Sequence, residues 1–199
     1  MPINMPNSNF TSSSFLLSWN TQVYGNALTS QIQRKATTGA RWVAQYELPP
    51  LKREGYAEWQ AFFANLNGRL NTFYAYDPNA TSPRGIGTGT PLVNGGSQTG
   101  NTLVTDGWTS SQTGILKKGD YFSVNNELKI ITNDIDSDGS GNATLEFEPP
   151  LRNSPSDNAS ITVNDAKCEM VLLTDAVNFS LNRSFVSSPI IIQATEVFS

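Results

Sequence analysis

Residues 41–76 read RWVAQYELPPLKREGYAEWQAFFANLNGRLNTFYAY, and the period of their apolar residues changes twice. Trp42, Ala44 and Tyr46 alternate with Val43, Gln45 and Glu47. That is the two-residue period of a strand, apolar enough on both faces to be expected largely buried. Pro49 and Pro50 stop it, because proline brings no N–H to a sheet. From Lys52 the apolar residues fall at Tyr56, Trp59, Phe62, Phe63 and Leu66, the spacing of a helix with an aromatic stripe. Asn67-Gly68 supplies the left-handed C-terminal cap. Leu70–Tyr76, rich in Thr, Phe and Tyr, resumes as a strand. The spacing predicts one strand–helix–strand unit, holding the one convincing helix of the chain.

Outward from this unit the chain reads as strands and turns. Residues 1–13 are polar and suit an extended arm. Phe15–Trp19 and Val23-Tyr24 suit strands around a turn at Asn20. Leu28–Lys35 alternates, and Thr37-Thr38-Gly39 turns into the Arg41 strand, which predicts a hairpin. Residues 77–100 are dense in Pro, Gly, Asn and Thr and mark a boundary or a run of tight turns. Short strands are expected at Thr102–Thr105, Tyr121–Val124, Glu127–Thr132 and Thr144–Phe147, with one more at Ile161–Val163. Their spacing predicts a small barrel or sandwich, ended by Pro149-Pro150-Leu151-Arg152. CEMVLL, VNFSL and PIIIQATEVF then read as three strands, the last buried on both faces. The simplest division is a β domain made of residues 1–80 with 166–199, interrupted by a small β-barrel at 81–165.

Composition narrows the function. In 199 residues only 15% are charged, the net charge is −4, and Lys and Arg form no run. Phosphate neutralisation, and with it specific nucleic-acid binding, is not expected. The chain has no histidine, the commonest general base and metal ligand. Its single cysteine, Cys168, lies in a strand-like run and reads as a core thiol rather than a nucleophile. The start, MPINMPNSNF, has neither a basic region nor an apolar stretch, so no signal peptide is expected. No apolar run approaches the length of a membrane span.

Four patterns invite a chemical reading. Gly95–Thr102 has the glycine spacing of a phosphate loop, but Asn101 stands where lysine belongs and a strand follows. Asp134, Asp136, Asp138 and Gly139 repeat the start of a calcium loop, yet Leu145 occupies the position of the bidentate carboxylate. A hairpin turn is the better reading. The stripe of Tyr56, Trp59 and Phe63 fits helix-to-sheet core before a partner groove. Trp108 and Tyr121 could stack on sugars, with ordinary packing the default. No catalytic, metal or cofactor residue emerges, substrate-binding residues stay unassigned, and catalysis is not expected.

Two runs carry a family resemblance. LPPLKREGYAEWQAFFANLNGRLNTFYAYDP (48–78) resembles a segment of bacteriophage tail proteins. So does LKKGDYFSVNNELKIITNDIDSDGSGNATLEFEPPLR (116–152), with its Gly119-Asp120 turn and closing Pro-Pro-Leu-Arg. Over residues 41–199 the chain resembles the distal tail proteins of long-tailed phages. The resemblance implies a mainly β fold: a tail-tube-like β-sandwich core with one flanking helix, plus an inserted barrel like an oligonucleotide/oligosaccharide-binding (OB) fold. It also implies a structural virion protein, a homo-hexameric ring joining the tail tube protein to the tail tip or baseplate hub. Such a protein would be assembled in the host bacterial cytoplasm and reside in the virion tail, with tail fibres or host glycans as further partners. The alternative is a carbohydrate-binding module of the tail tip, its site carried by the inserted barrel.

Overall fold

A computed structural model describes residues 1–25, 30–36, 39–180 and 186–198. The fold is mainly β with one helix, built from several sheets, one of them a half-barrel. Five strands in chain order precede the helix: β1 (Ile3–Asn4), β2 (Ser12–Ser18), β3 (Thr21–Gly25), β4 (Ile32–Ala36) and β5 (Arg41–Leu48). The helix α1 (Arg53–Leu66) and β6 (Phe73–Tyr76) complete the first stretch. The inserted stretch holds β7 (Gly89–Val93), β8 (Gly100–Trp108), β9 (Tyr121–Val124), β10 (Glu127–Ile131) and β11 (Ala143–Leu151). The closing strands are β12 (Lys167–Leu172) and β13 (Ile190–Glu196).

The largest sheet has the order β1-β6-β12-β13-β5-β2, with β1 parallel to β6 and the other pairs antiparallel. Its register stacks apolar residues on one face: Tyr46 opposite Ile192, Leu48 opposite Ile190, and Cys168 opposite Ala75. These residues are fully or almost fully buried. α1 lies on that face with Tyr56, Trp59, Phe62 and Leu66. Edge-to-face contacts link Trp59 to Phe62 (5.5 Å between centroids) and Phe62 to Phe73 (5.6 Å). Each such side chain buried contributes about 1.5–3 kcal/mol. Asn67 ends α1 in the left-handed region at φ 49°, one residue before the glycine, and donates its N–H to Ala64 O.

The opposite face corrects two expectations. β5 and β13 are each buried on one face only, since Gln45 and Gln193 pair side chain to side chain in solvent (3.0 Å) and Ile191 is 55% exposed. A sheet covered on one side needs only every second residue apolar, and the intervening isoleucine and valine imitate a two-sided strand. The strand expected in VNFSL is also absent over its described residues, Val177–Ser180. Phe179 instead packs edge-on against Tyr56 (5.4 Å) and Phe63 (5.2 Å), beside α1.

The insert orders its strands β7-β8-β11-β10-β9 around a separate apolar cluster including Leu103, Phe122, Leu145 and Phe147. β7 arises within the glycine-rich stretch read as turns. β11 runs on through Pro149-Pro150 with its register shifting after Glu146, a bulge that lets proline sit in a strand. Ile161–Val163 forms no strand; isolated bridges join Ser160 to Leu92 and Thr162 to Ser123, so this segment stitches the β7 edge to the β9 edge. Gly107, at φ +75°, lets β8 pass β7, because a Cβ there would stand 2.3 Å from Thr90 O.

β3 and β4 form a hairpin with Val23 opposite Arg34 and Gly25 opposite Ile32. The Leu28 end of the expected second strand and the Thr37-Thr38 turn lie outside the described residues.

Three tyrosines tie stability to alkaline pH. Burial raises Tyr46, whose hydroxyl donates to Tyr76 O (2.6 Å), and burial also raises Tyr76. Burial, then the Asp77 charge, pushes Tyr121 up to about 12. Unfolded tyrosines ionise near 10.0, so this contribution is complete below pH 10.0 and is lost as pH rises through the folded value. Lys129 acts in the opposite direction, because burial lowers its pKa. Tyr121→Phe leaves Lys129 in place, and its urea midpoint is expected to fall less steeply than wild type between pH 10.0 and about 12. Parallel curves would show that Tyr121 does not titrate this way.

Candidate functional site

The insert meets the large sheet through buried charge. Arg152, just after β11, donates from Nη1 and Nη2 to both carboxylate oxygens of Glu196 on β13 (2.7 and 2.6 Å) and from Nη2 to Ala40 O (2.8 Å). Glu196 Oε2 also accepts the Trp42 N–H (3.0 Å). Beside it, Lys129 Nζ donates to Glu127 Oε2 (2.6 Å) and Pro150 O (2.8 Å). Glu127 further accepts the backbone N–H of Arg152 (3.1 Å) and of Asn153 (3.2 Å). Lys129 is fully buried, and burial lowers its pKa while the Glu127 carboxylate opposes that shift. Trp42 crosses the same boundary, donating Nε1–H to Leu128 O (2.8 Å) and meeting Tyr121 edge-on at 5.5 Å.

Next to this network opens a cleft of about 830 Å³. Trp19 and Asn20, between β2 and β3, line it together with Arg41 and Phe198. Glu148 and the Pro149–Asn153 segment close it from the insert. The Phe198 ring carries the guanidinium of Arg152 at 4.0 Å and that of Arg41 at 4.9 Å, a cation–π arrangement that holds both arginines in the wall. Glu148 Oε2 is fully covered and has no hydrogen-bond partner among the described residues.

The patterns singled out in the sequence lie elsewhere. Asp134 Oδ1 accepts the Lys118 N–H (2.8 Å), Asp136 Oδ1 the Gly114 N–H (2.6 Å), and Asp138 Oδ1 the Ser140 and Asn142 N–H groups (2.8 Å each). Each carboxylate thus fastens a different piece of loop. Hydrogen bonds from Asn142 and Ser140 lower the Asp138 pKa. No group of three or more His, Cys, Asp or Glu among the described residues could hold a metal. The Gly95–Thr102 stretch is a turn up to Thr99, pinned by Gln98, which accepts the Val104 N–H (2.7 Å) and donates to Asn94 O and Gly95 O, and its last three residues already belong to β8.

Cys168 is buried in the core, and burial pushes its thiol up, opposite to what a nucleophile requires. Trp108 packs inside the half-barrel with its Nε1–H on Thr105 Oγ1 (2.8 Å). Tyr121 fills the junction. Trp108 is thereby buried away from any sugar, whereas Tyr121 is half-buried. Trp19, Arg41, Glu148 and Phe198 were not visible as a site, because five separate stretches of chain bring the cleft together.

No protein-family model matches the chain, and a search of curated proteins finds no match.

Arg152→Met removes the partner of a buried carboxylate and is expected to cost about 3–5 kcal/mol in urea unfolding, since Glu196 is left charged and unpaired. Adding Glu196→Gln is expected to recover part of that loss. A single variant as stable as wild type would mean that the pair adds nothing at this junction.

Proposed function

We propose that the chain is a distal tail protein of a long-tailed bacteriophage, a structural ring subunit without catalysis that links tail tube to tail tip or baseplate. The likeness of residues 48–78 and 116–152 to such proteins suggests the family and the sixfold ring. One observation carries the assembly. The β3–β4 hairpin stands outside both apolar clusters, with Val23 at 61%, Tyr24 at 57% and Ile32 at 65% exposure. A lone two-stranded ribbon is marginal in water, and apolar residues on it favour contact with another surface. A neighbouring copy supplies that cover, and a head-to-tail contact of this kind closes into a ring when its rotation allows.

Deleting residues 81–165 would strip Leu128 from Trp42 and Arg152 from Glu196, so point changes on the hairpin are the cleaner test. Light scattering behind a sizing column is expected to give wild type six times the 21.7 kDa subunit mass. Val23→Asp with Ile32→Asp is expected to give a monomer with unchanged circular dichroism. A wild type that stays monomeric across a concentration series, or a double variant that still forms the ring, overturns this reading.

A further inference from the structure

The turn after β7 carries chemistry that the ring does not use. The chain holds two Asn-Gly pairs, Asn67-Gly68 and Asn94-Gly95. A glycine after asparagine has no side chain to shield its backbone nitrogen, which can then attack the asparagine side-chain amide. That attack needs an amide side chain not held elsewhere, a base for the glycine N–H proton, and room for a five-membered ring. Asn94 is exposed, and its side chain makes no hydrogen bond among the described residues. Gly95 donates its N–H to Asp157 Oδ1 at 2.8 Å, so a carboxylate already holds the proton that must leave. A Cβ placed on Gly95 would meet no atom within 4 Å, so the space beside the turn is open.

The other pair provides an internal comparison. Asp175 lies beside Asn67-Gly68, but its Oδ1 accepts the N–H of Arg69 (3.2 Å), one residue further along. A Cβ on Gly68 would stand 3.0 Å from that oxygen, and Asn67 is fixed in the left-handed cap of α1. We propose that Asn94-Gly95 is a self-modifying site, at which Asp157 is the base for deamidation of Asn94. Gly95 N passes its proton to Asp157 and bonds to Asn94 Cγ. The Cγ–Nδ2 bond breaks, and ammonia leaves with that proton. The imide takes up water and opens to aspartate, or to isoaspartate, whose main chain runs through the side-chain carbon. The imide has no N–H for Asp157, and its product sets a second carboxylate close by. Val93 bonds to Ala159 (3.0 Å) and Asn158 (2.9 Å) at the same place, so the reaction loosens the stitch along the β7 edge.

The test uses the full chain, warmed in mildly alkaline buffer and followed by intact mass, peptide mapping and isoaspartyl methyltransferase labelling. The folded wild type is expected to gain the mass difference between –OH and –NH2 at residue 94, with isoaspartate there and none at residue 67. In urea, where neither carboxylate is held in place, both pairs are expected to react at similar rates. Asp157→Asn is expected to slow the folded reaction by about tenfold or more, a positioned base being worth about 10²–10⁴ in enzymes. Asp157→Glu keeps a carboxylate and is expected to retain most of the rate. A merely structural Asp157 would give the opposite sign, since losing its tie frees the turn and speeds ring closure. Circular dichroism checks that both variants fold. An Asn94 that reacts in urea but stays intact in the folded chain overturns the proposal. So does reaction at Asn67 ahead of Asn94, or an Asp157→Asn variant that reacts as fast as wild type.

Discussion

Arg152 holds the molecule together at its seam. Its guanidinium reaches from the insert to Glu196 on the central strand pair and to Ala40 at the mouth of β5, while its backbone N–H is held by Glu127. Taking charges out of water is expensive, and a buried pair offsets that cost only when its geometry is good and the remaining polar positions are filled. Here they are filled: Glu196 has three donors from two residues, and Lys129 has a carboxylate and a carbonyl. Apolar contacts across the seam, such as Leu128 and Tyr121 against the Trp42 cluster, are tolerant of small slips. Directional hydrogen bonds are not. The ionic network therefore sets the angle at which the half-barrel leaves the sheet.

That fixed angle shapes the cleft. Its insert wall, Glu148 through Asn153, is the stretch that the network anchors at Arg152, at the Asn153 N–H and at Pro150 O. Its sheet wall follows from β5 and the end of β13, where Phe198 lies across the arginines. A hinged insert would open and close this space. One tied by a buried network presents a preformed surface, which spares a ligand the ordering cost of assembling it.

How much of this could be read from the residues depends on whether the signal was local. α1 was legible because Tyr56, Trp59, Phe62 and Leu66 recur at helical spacing between a Pro-Pro stop and an Asn-Gly cap. The insert strands were legible because turn residues bracket them. β7 was not, since Gly89-Thr-Pro91 looks like loop until β8 is beside it to pair. Glu127 and Lys129 sit at alternate positions of β10 and so read as its solvent face. Only the arrival of Pro150 and Arg152 at that face buries them. The cleft has no local signature at all, because Trp19 and Phe198 are separated by almost the whole chain.

Where apolar surface is left uncovered also carries information, because the fold guards its other edges. β1 is only two residues long, and the edge strand β2 begins with Ser12-Ser13-Ser14, two of whose hydroxyls are engaged by Glu47 and Asn79. In the insert, Ala159–Thr162 bonds to both outer strands, so neither presents a bare ladder. Short, serine-rich or stitched edges are how β proteins avoid pairing with the wrong partner. Against that background the hairpin is an exception, with Val23, Tyr24 and Ile32 in solvent beside Arg34 and Lys35. The edge strand β2 also exposes Leu16, at 62%, but as a single apolar side chain, whereas the hairpin gathers three and so concentrates the capacity for association. This contrast, more than the exposed area alone, supports the hairpin as the element that meets a neighbour.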